Sequence, residues 1–167
     1  MKKLVLINPH PIGNVGEENV SVLNQMPVNL GYLKVLTPKH WQVDIIDETQ
    51  ELAVDENTGN ITFGGADLVG ITSVSYQAHR AYQIATACRK QGIPVIMGGI
   101  HATSYPEEAA KYVDCVVTRE AVTTWEKIIG DFEKGCLQKR YDGVLTPMEL
   151  YQGLRPDRKY LKDKYKY

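Results

Sequence analysis

The 167-residue sequence is poor in cysteine: it has three, Cys88, Cys115 and Cys136, far apart, with no CxxC pair and no zinc spacing. That excludes a disulfide scaffold and a thiolate zinc site. Cys88 and Cys115 sit in apolar stretches and read as small buried side chains. An odd count without a signal peptide fits a reducing cytoplasm. Long apolar runs are missing too. Residues 4–7 near the N-terminus are too few for a signal h-region or a membrane span, so no membrane partner is expected. Charge of one sign is not in excess: 19 basic against 20 acidic residues leave a net charge of -1. No basic balance points to nucleic acid. Phosphate-binding signatures are absent as well. Gly13 and Gly16 do not make GxGxxG, and no GKS or GKT occurs, so a dinucleotide site or a P-loop is not supported. A phospho-acceptor domain would want acidic residues after the first strand and an Asp after the third. Those places hold Asn8 and Thr72-Ser73.

What remains is an ordinary globular composition, 43% hydrophobic and 23% charged, long enough for one domain with a core. Residues 4–7 read as a strand buried on both faces, stopped by Asn8-Pro9. Pro27 can open a helix with Leu30, Leu33 and Leu36 on one face, ended by Pro38. Residues 41–47 read as a second, less central strand. Residues 48–66, with Asn57, Gly59, Asn60, Gly64 and Gly65, read as a surface turn or small hairpin. Residues 67–73 are the third strand. Ala78, Ala81, Ala85 and Cys88 recur at helical spacing, and Gly92 stops that helix. Residues 94–97 are the fourth strand. Ser104 and Glu107 form a capping box that predicts a helix start there. Residues 114–118 are the fifth strand. Val122, Trp125, Ile128, Ile129 and Phe132 line a helix that ends near Gly135.

Alternating strands and helices with short connections predict an α/β fold, a three-layer flavodoxin-like (Rossmann-like) arrangement. Its five-stranded parallel sheet has the expected order 2-1-3-4-5. Residues 1–135 form the domain. Residues 136–167 lose the periodicity, end in the basic and aromatic LRPDRKYLKDKYKY, and read as a linker. No internal repeat is visible.

In such a sheet ligands bind at the carboxyl ends of the strands. The loops there are 8–17, 72–76, 98–105 and 118–123. Thr72, Ser73 and Ser75 offer hydroxyls, either to a polar ligand edge or as caps for the next helix. Gly98 and Gly99 either permit a tight turn or let a flat, bulky ligand lie on the backbone. His101 is either a ligand or donor, or a surface or capping residue.

Taken together these stretches resemble the cobalamin-binding domain at the N-terminus of radical SAM enzymes. LINPH resembles the family's opening strand, MPVNLGYLKVL its Pro-x-x-Leu-Gly-Tyr-Leu helix, and ADLVGITSVS its third strand. VIMGGIHATSYPEEAAKYVDCVVTRE, the most specific stretch, resembles its Gly-Gly-x-His-Ala-Thr, Pro-Glu-Glu, Asp-x-Val-Val order. The resemblance implies cobalamin as cofactor, held by Ser73, Val74, Ser75, Gly98, Gly99, His101 and Glu120. It implies that LRPDRKYL leads into a radical SAM barrel, which would bring a [4Fe–4S] cluster and S-adenosylmethionine for methyl transfer or radical rearrangement. The sequence has no CxxxCxxC, so this chain alone is not expected to be catalytic. Two departures stand out. Where the family has Gly-Glu-Gly-Glu, this chain has Arg119-Glu120-Ala121-Val122, and the added side chains could crowd the cofactor's nucleotide tail or the next domain. Asn8-x-His10-x-x-Gly13 has the spacing of the Asp-x-His-x-x-Gly motif whose histidine ligates cobalt, making His10 a candidate lower ligand, with Asn in place of the orienting carboxylate. A second reading, favoured by Arg119 and Ala121, is a cobalamin-free docking module on the same fold. A small nucleotide-binding flavodoxin-like protein lacks a phosphate loop and ranks last.

Overall fold

Leu4, Val5, Leu6 and Ile7 are all fully buried, as a strand covered on both faces requires. They form the middle of β1 (Lys2–Asn8) in a computed structural model that describes residues 1–10, 27–145 and 153–159. Gly13 of the Asn8-x-His10-x-x-Gly13 spacing, Gly16, and residues 160–167 of the basic tail lie outside the described residues. Helix α1 (Val28–Leu36) begins directly after Pro27, and Thr37 closes it with a hydroxyl on the Leu33 carbonyl at 2.7 Å. Then come β2 (Trp41–Asp47), β3 (Leu68–Thr72) and α2 (Ala78–Lys90), which a 3₁₀ turn at Ser75–Gln77 precedes. The order continues with β4 (Val95–Gly98), α3 (Ile100–Ser104), α4 (Pro106–Ala109), β5 (Cys115–Thr118), α5 (Trp125–Glu133) and β6 (Arg140–Asp142). The 48–66 segment makes the expected small hairpin, with one antiparallel bridge between Val54 and Ile61.

All pairings are parallel, in the order 2-1-3-4-5-6. The flavodoxin-like order therefore holds, with a correction. The sheet has a sixth strand, β6, inside the segment read as linker. Its partners are in register from Val116↔Arg140 to Thr118↔Asp142. Residues 153–159 also return to the domain. The Asp157 N–H donates to the Gly31 carbonyl at 3.2 Å, and Lys34 pairs with the Asp157 carboxylate at 3.0 Å. A second correction concerns the expected capping box. Helix α3 starts at Ile100 behind Gly99, and Tyr105 breaks it before Pro106 opens α4 at its first position. Ser104 ends one helix rather than starting another, because Pro106 has no N–H to continue the ladder.

The sheet divides the core into two layers. On one side Val5, Ile7, Val69, Ile71, Val95, Met97 and Val116 meet α2 and its alanine face. On the other, Leu4, Leu6, Leu68, Ile96, Cys115 and Val117 meet Leu30 and Leu33 of α1 and Trp125, Ile128 and Ile129 of α5. Cys88 and Cys115 are fully buried, and burial pushes both thiols up to about 12.

The α5–β6 side is tied down by carboxylates. Asp131 accepts from Lys127 at 2.7 Å and from the Tyr141 hydroxyl at 2.8 Å. Glu133 accepts from the Trp41 indole at 2.7 Å and lies 2.6 Å from His40 Nε2. Asp142 accepts from Thr118 at 2.6 Å and Arg140 at 2.8 Å. These bonds hold all three below the usual carboxylate range, led by Lys127, His40 and Thr118 respectively. A folded-state pKa below the unfolded one contributes stability that is complete above the ordinary carboxylate range and is lost as pH falls through it. The urea midpoint is therefore expected to be lower at about pH 3.5 than at neutral pH. Equal midpoints would refute this account of the edge.

Candidate functional site

The strand order reverses between β1 and β3, so the loops after them diverge and leave a crevice at the carboxyl end of the sheet. A cavity of about 190 Å³ opens there, floored by Leu6, Gly70, Ile96, Gly98 and Val117 and walled by Leu30, Leu33 and Trp125. The Trp125 indole is satisfied by Thr37 Oγ1 at 2.9 Å, so the wall presents only carbon to the cavity. The mouth is formed by Asn29, Thr72, Gly99, Arg119, Glu120, Ala121 and Val122. A second hollow of similar size adjoins it, sharing Asn29, Thr72 and Gly99 and adding Asn8, Ser73, Val74, Tyr76 and Gln77. Asn29 Nδ2 donates to Thr72 Oγ1 at 2.9 Å on the divide between the two. The site is thus an apolar slot beside a more polar trough.

Gly98 and Gly99 do different things. Gly99 has φ +96°, and a Cβ there would lie 2.6 Å from the Ser73 carbonyl oxygen and 2.8 Å from its nitrogen. The turn itself demands that glycine. Gly98 is extended strand, and a Cβ would meet Val117 only at 3.7 Å and beyond. Nothing in the fold requires a glycine there, yet the position floors the slot. Gly70, mid-strand in β3, also floors it, and a Cβ would press on the mobile end of Leu6 at 2.8 Å. Side chains are missing on adjacent strands where the slot needs room.

The other candidates divide as follows. Glu120 stands at the mouth of the slot. Ser73 and Val74 line the trough. The Ser73 hydroxyl donates to the Val74 carbonyl at 2.9 Å, while Gln77, not a serine, takes the Val74 N–H at 3.0 Å. Ser75 is exposed and lines neither hollow. His101 is only 4% exposed and belongs to the opposite layer. Its Nε2 is 2.7 Å from the Tyr82 hydroxyl on α2, its Nδ1 3.4 Å from Ser75 Oγ, and Glu108 of α4 accepts from Tyr82 at 3.0 Å. Burial, then the Glu108 bond, raises the Tyr82 hydroxyl's pKa. Both ring nitrogens of His101 face the protein, and its backbone N–H donates to the Ser73 carbonyl at 3.0 Å.

His10 also lines neither hollow. Its backbone N–H donates to Glu48 at 3.1 Å, and Gln77 holds the Pro9 carbonyl at 2.7 Å. Asn8 donates to Asp47 at 3.1 Å and accepts from Gln77 at 3.3 Å, so both ends of its carboxamide are engaged. Glu48 is in turn buried against Arg80, in two bonds of 2.8 and 2.7 Å. Among the described residues no group of three or more His, Cys, Asp or Glu is placed to hold a metal ion.

The sequence reading missed Gly70, Asn29, Thr103 and Gly143. Thr103 Oγ1 donates to the Gly99 carbonyl at 2.9 Å and accepts the Arg119 N–H at 2.8 Å, joining the two glycine-side loops. Gly143, just past β6, lies so close to the Glu120 backbone that a Cβ would collide with it. A threonine one helical turn beyond a glycine pair, and a glycine inside a strand, were the available signals.

Fold and cavities define a doubly wound domain with an apolar slot and a more polar trough side by side at its switch point. An engineered apolar cavity of about 150 Å³ holds benzene, so this slot has room for a ring system. Residues 20–129 match the B12 binding domain model, and the chain belongs to the B12-binding domain family. It is 38% identical over 136 residues to a bacteriochlorophyllide d C-8(2)-methyltransferase of Chlorobaculum tepidum, covering 75% of this chain and 29% of that protein. It is 30% identical over 148 residues to that organism's bacteriochlorophyllide d C-12(1)-methyltransferase, covering 88% and 31%. An uncharacterized methyltransferase of Pyrococcus horikoshii is 29% identical over 115 residues, covering 65% and 25%. The chain thus spans under a third of the length of these relatives.

The contrast between the two glycines is testable by urea unfolding. Gly99→Ala is expected to lose at least about 2 kcal/mol, from the left-handed φ and the Ser73 contact together. Gly98→Ala is expected to stay within about 1 kcal/mol of the parent, on the stable side. Similar losses in both variants would mean that Gly98, too, is a requirement of the fold.

Proposed function

We propose that this domain holds cobalamin at the carboxyl end of its sheet, as the corrin-carrying part of a radical SAM methyltransferase. The observation that carries the reading is the apolar slot floored by Gly70 and Gly98, which accepts the cofactor's flat nucleotide base. Leu30, Leu33 and Trp125 would enclose that base. Gly99, Ser73, Val74 and the Asn29–Thr72 pair would form the shelf beside it for the corrin and its amides. Bound there, cobalamin supplies a cobalt centre for group transfer, while the protein supplies orientation. Methyl transfer is favoured over radical rearrangement because the curated relatives are named as methyltransferases.

The [4Fe–4S] cluster and S-adenosylmethionine belong to a barrel outside this chain, since its three cysteines do not form the cluster-binding motif. We place the domain's end after β6 rather than at residue 135, with the following residues leading toward that barrel. No helix among the described residues is long and apolar enough to cross a membrane. A cytoplasmic setting accords with three cysteines that are free. The docking-module alternative rests on Arg119 and Ala121, which line the slot but leave it open.

The test is retention of hydroxocobalamin through desalting, read from the visible spectrum. The chain is expected to retain about one equivalent, as a single preformed site should. Gly98→Leu, which fills the slot, should abolish retention with the circular dichroism unchanged. His10→Ala should leave the retained spectrum unaltered, since His10 lines neither hollow; shifted bands would make it the lower ligand. No retained colour in the parent would favour the docking module.

A further inference from the structure

Arg119 is the non-glycine residue with positive φ among the described residues, at 59°. Side chains rarely adopt that region, and such outliers persist where the surroundings impose them and a site uses them. Here the surroundings are plain. Thr103 fixes the Arg119 N–H, and Gly143 on the β6 side packs directly on the backbone of Glu120. A left-handed turn is thus built in at this position, with a long cation at the mouth of the slot. Among the described residues the exposed guanidinium has no ion-pair partner. Asp142, the nearby carboxylate that feels its field, is already engaged by Thr118 and Arg140.

We infer that Arg119 pairs with the phosphodiester of the cofactor's nucleotide tail. This rests on the cobalamin reading above and names a recognition residue within it. A base seated in the slot is joined through its ribose to a phosphate, which must leave by the mouth, where Arg119 stands with Asn29 and Thr72. Guanidinium suits phosphate because its fork of donors matches two oxygens. Glu120 shares the rim and opposes an anion there, so a cation beside it makes the mouth tolerant of phosphate. Arg119 therefore selects corrinoids with a complete nucleotide tail.

Two ligands separate the contributions: hydroxocobalamin, and cobinamide, the same corrin without the nucleotide. Each is titrated into the full 167-residue chain and its Arg119→Gln, Arg119→Lys and Arg119→Gly variants. Arg119→Gln and Arg119→Gly are expected to weaken cobalamin about tenfold and cobinamide less than about twofold, with Arg119→Lys, which keeps the charge but not the fork, falling between them and the parent. Raising the salt should shrink the difference between parent and Arg119→Gln. Arg119→Gly also relieves the backbone, so its thermal midpoint should match or exceed the parent's, separating lost binding from lost fold. Equal losses on both ligands, or unchanged cobalamin affinity in Arg119→Gln, would overturn the inference while leaving the cobalamin reading intact. A parent chain that binds neither corrinoid would instead overturn the reading itself, and this inference with it.

Discussion

The site depends on one main-chain contact, the approach of Gly99 to Ser73. The Ser73 N–H bonds the Gly98 carbonyl at 3.1 Å, and the Ser73 carbonyl accepts the His101 N–H at 3.0 Å. Both bonds need the backbone of residue 99 where a Cβ would be, hence a glycine at positive φ. With that contact made, β3 and β4 end at one level, α3 leaves at once, and the floor of the slot is exposed. It also accounts for the position of His101. Its backbone latches the turn from above, while its ring drops into the layer behind the sheet among Tyr82, Glu108 and Ser75.

The two layers have divided the work. The layer holding α2 is built on small residues, with Ala81, Ala85 and Cys88 fully buried against the strands. There the helix packs closely on the middle strands. The layer holding α1 and α5 is built on large residues, Leu30, Leu33 and Trp125, set over strands that carry glycine at 70 and 98. Large walls over a bare floor make a slot, whereas small helices on a full floor make a core. The same sheet therefore serves as packed interior on one face and as ligand platform on the other.

How much of this the sequence displayed follows from the range of each signal. Strands β1 and β3 to β5 were legible because burial on both faces writes itself as a continuous apolar run. Strand β6 was not: Arg140, Tyr141 and Asp142 alternate exposed, buried, exposed, and three residues carry no run to detect. The helix at 100 was hidden because its start is marked by the φ of Gly99, while Ser104 and Glu107 imitate a later one. The glycine pair was legible as a feature, but which glycine serves the turn and which the slot depends on Ser73 and Val117, contributed by other strands. His101 drew attention as a loop histidine because the spacing of a motif does not say which side of the sheet a ring will enter.

The departures at 119 and 121 show what membership in a family does and does not fix. Backbone geometry is constrained by many neighbours at once. At 119 the left-handed turn is imposed by Thr103 on one side and by the Gly143–Glu120 contact on the other, so an arginine is held at a positive φ. A side chain at an exposed rim has few neighbours and is free to change the charge of the opening. The shape that admits a corrinoid therefore belongs to the fold, while discrimination among corrinoids belongs to the rim, where a cation now stands beside Glu120 at the only charged stretch among the described residues lining the slot.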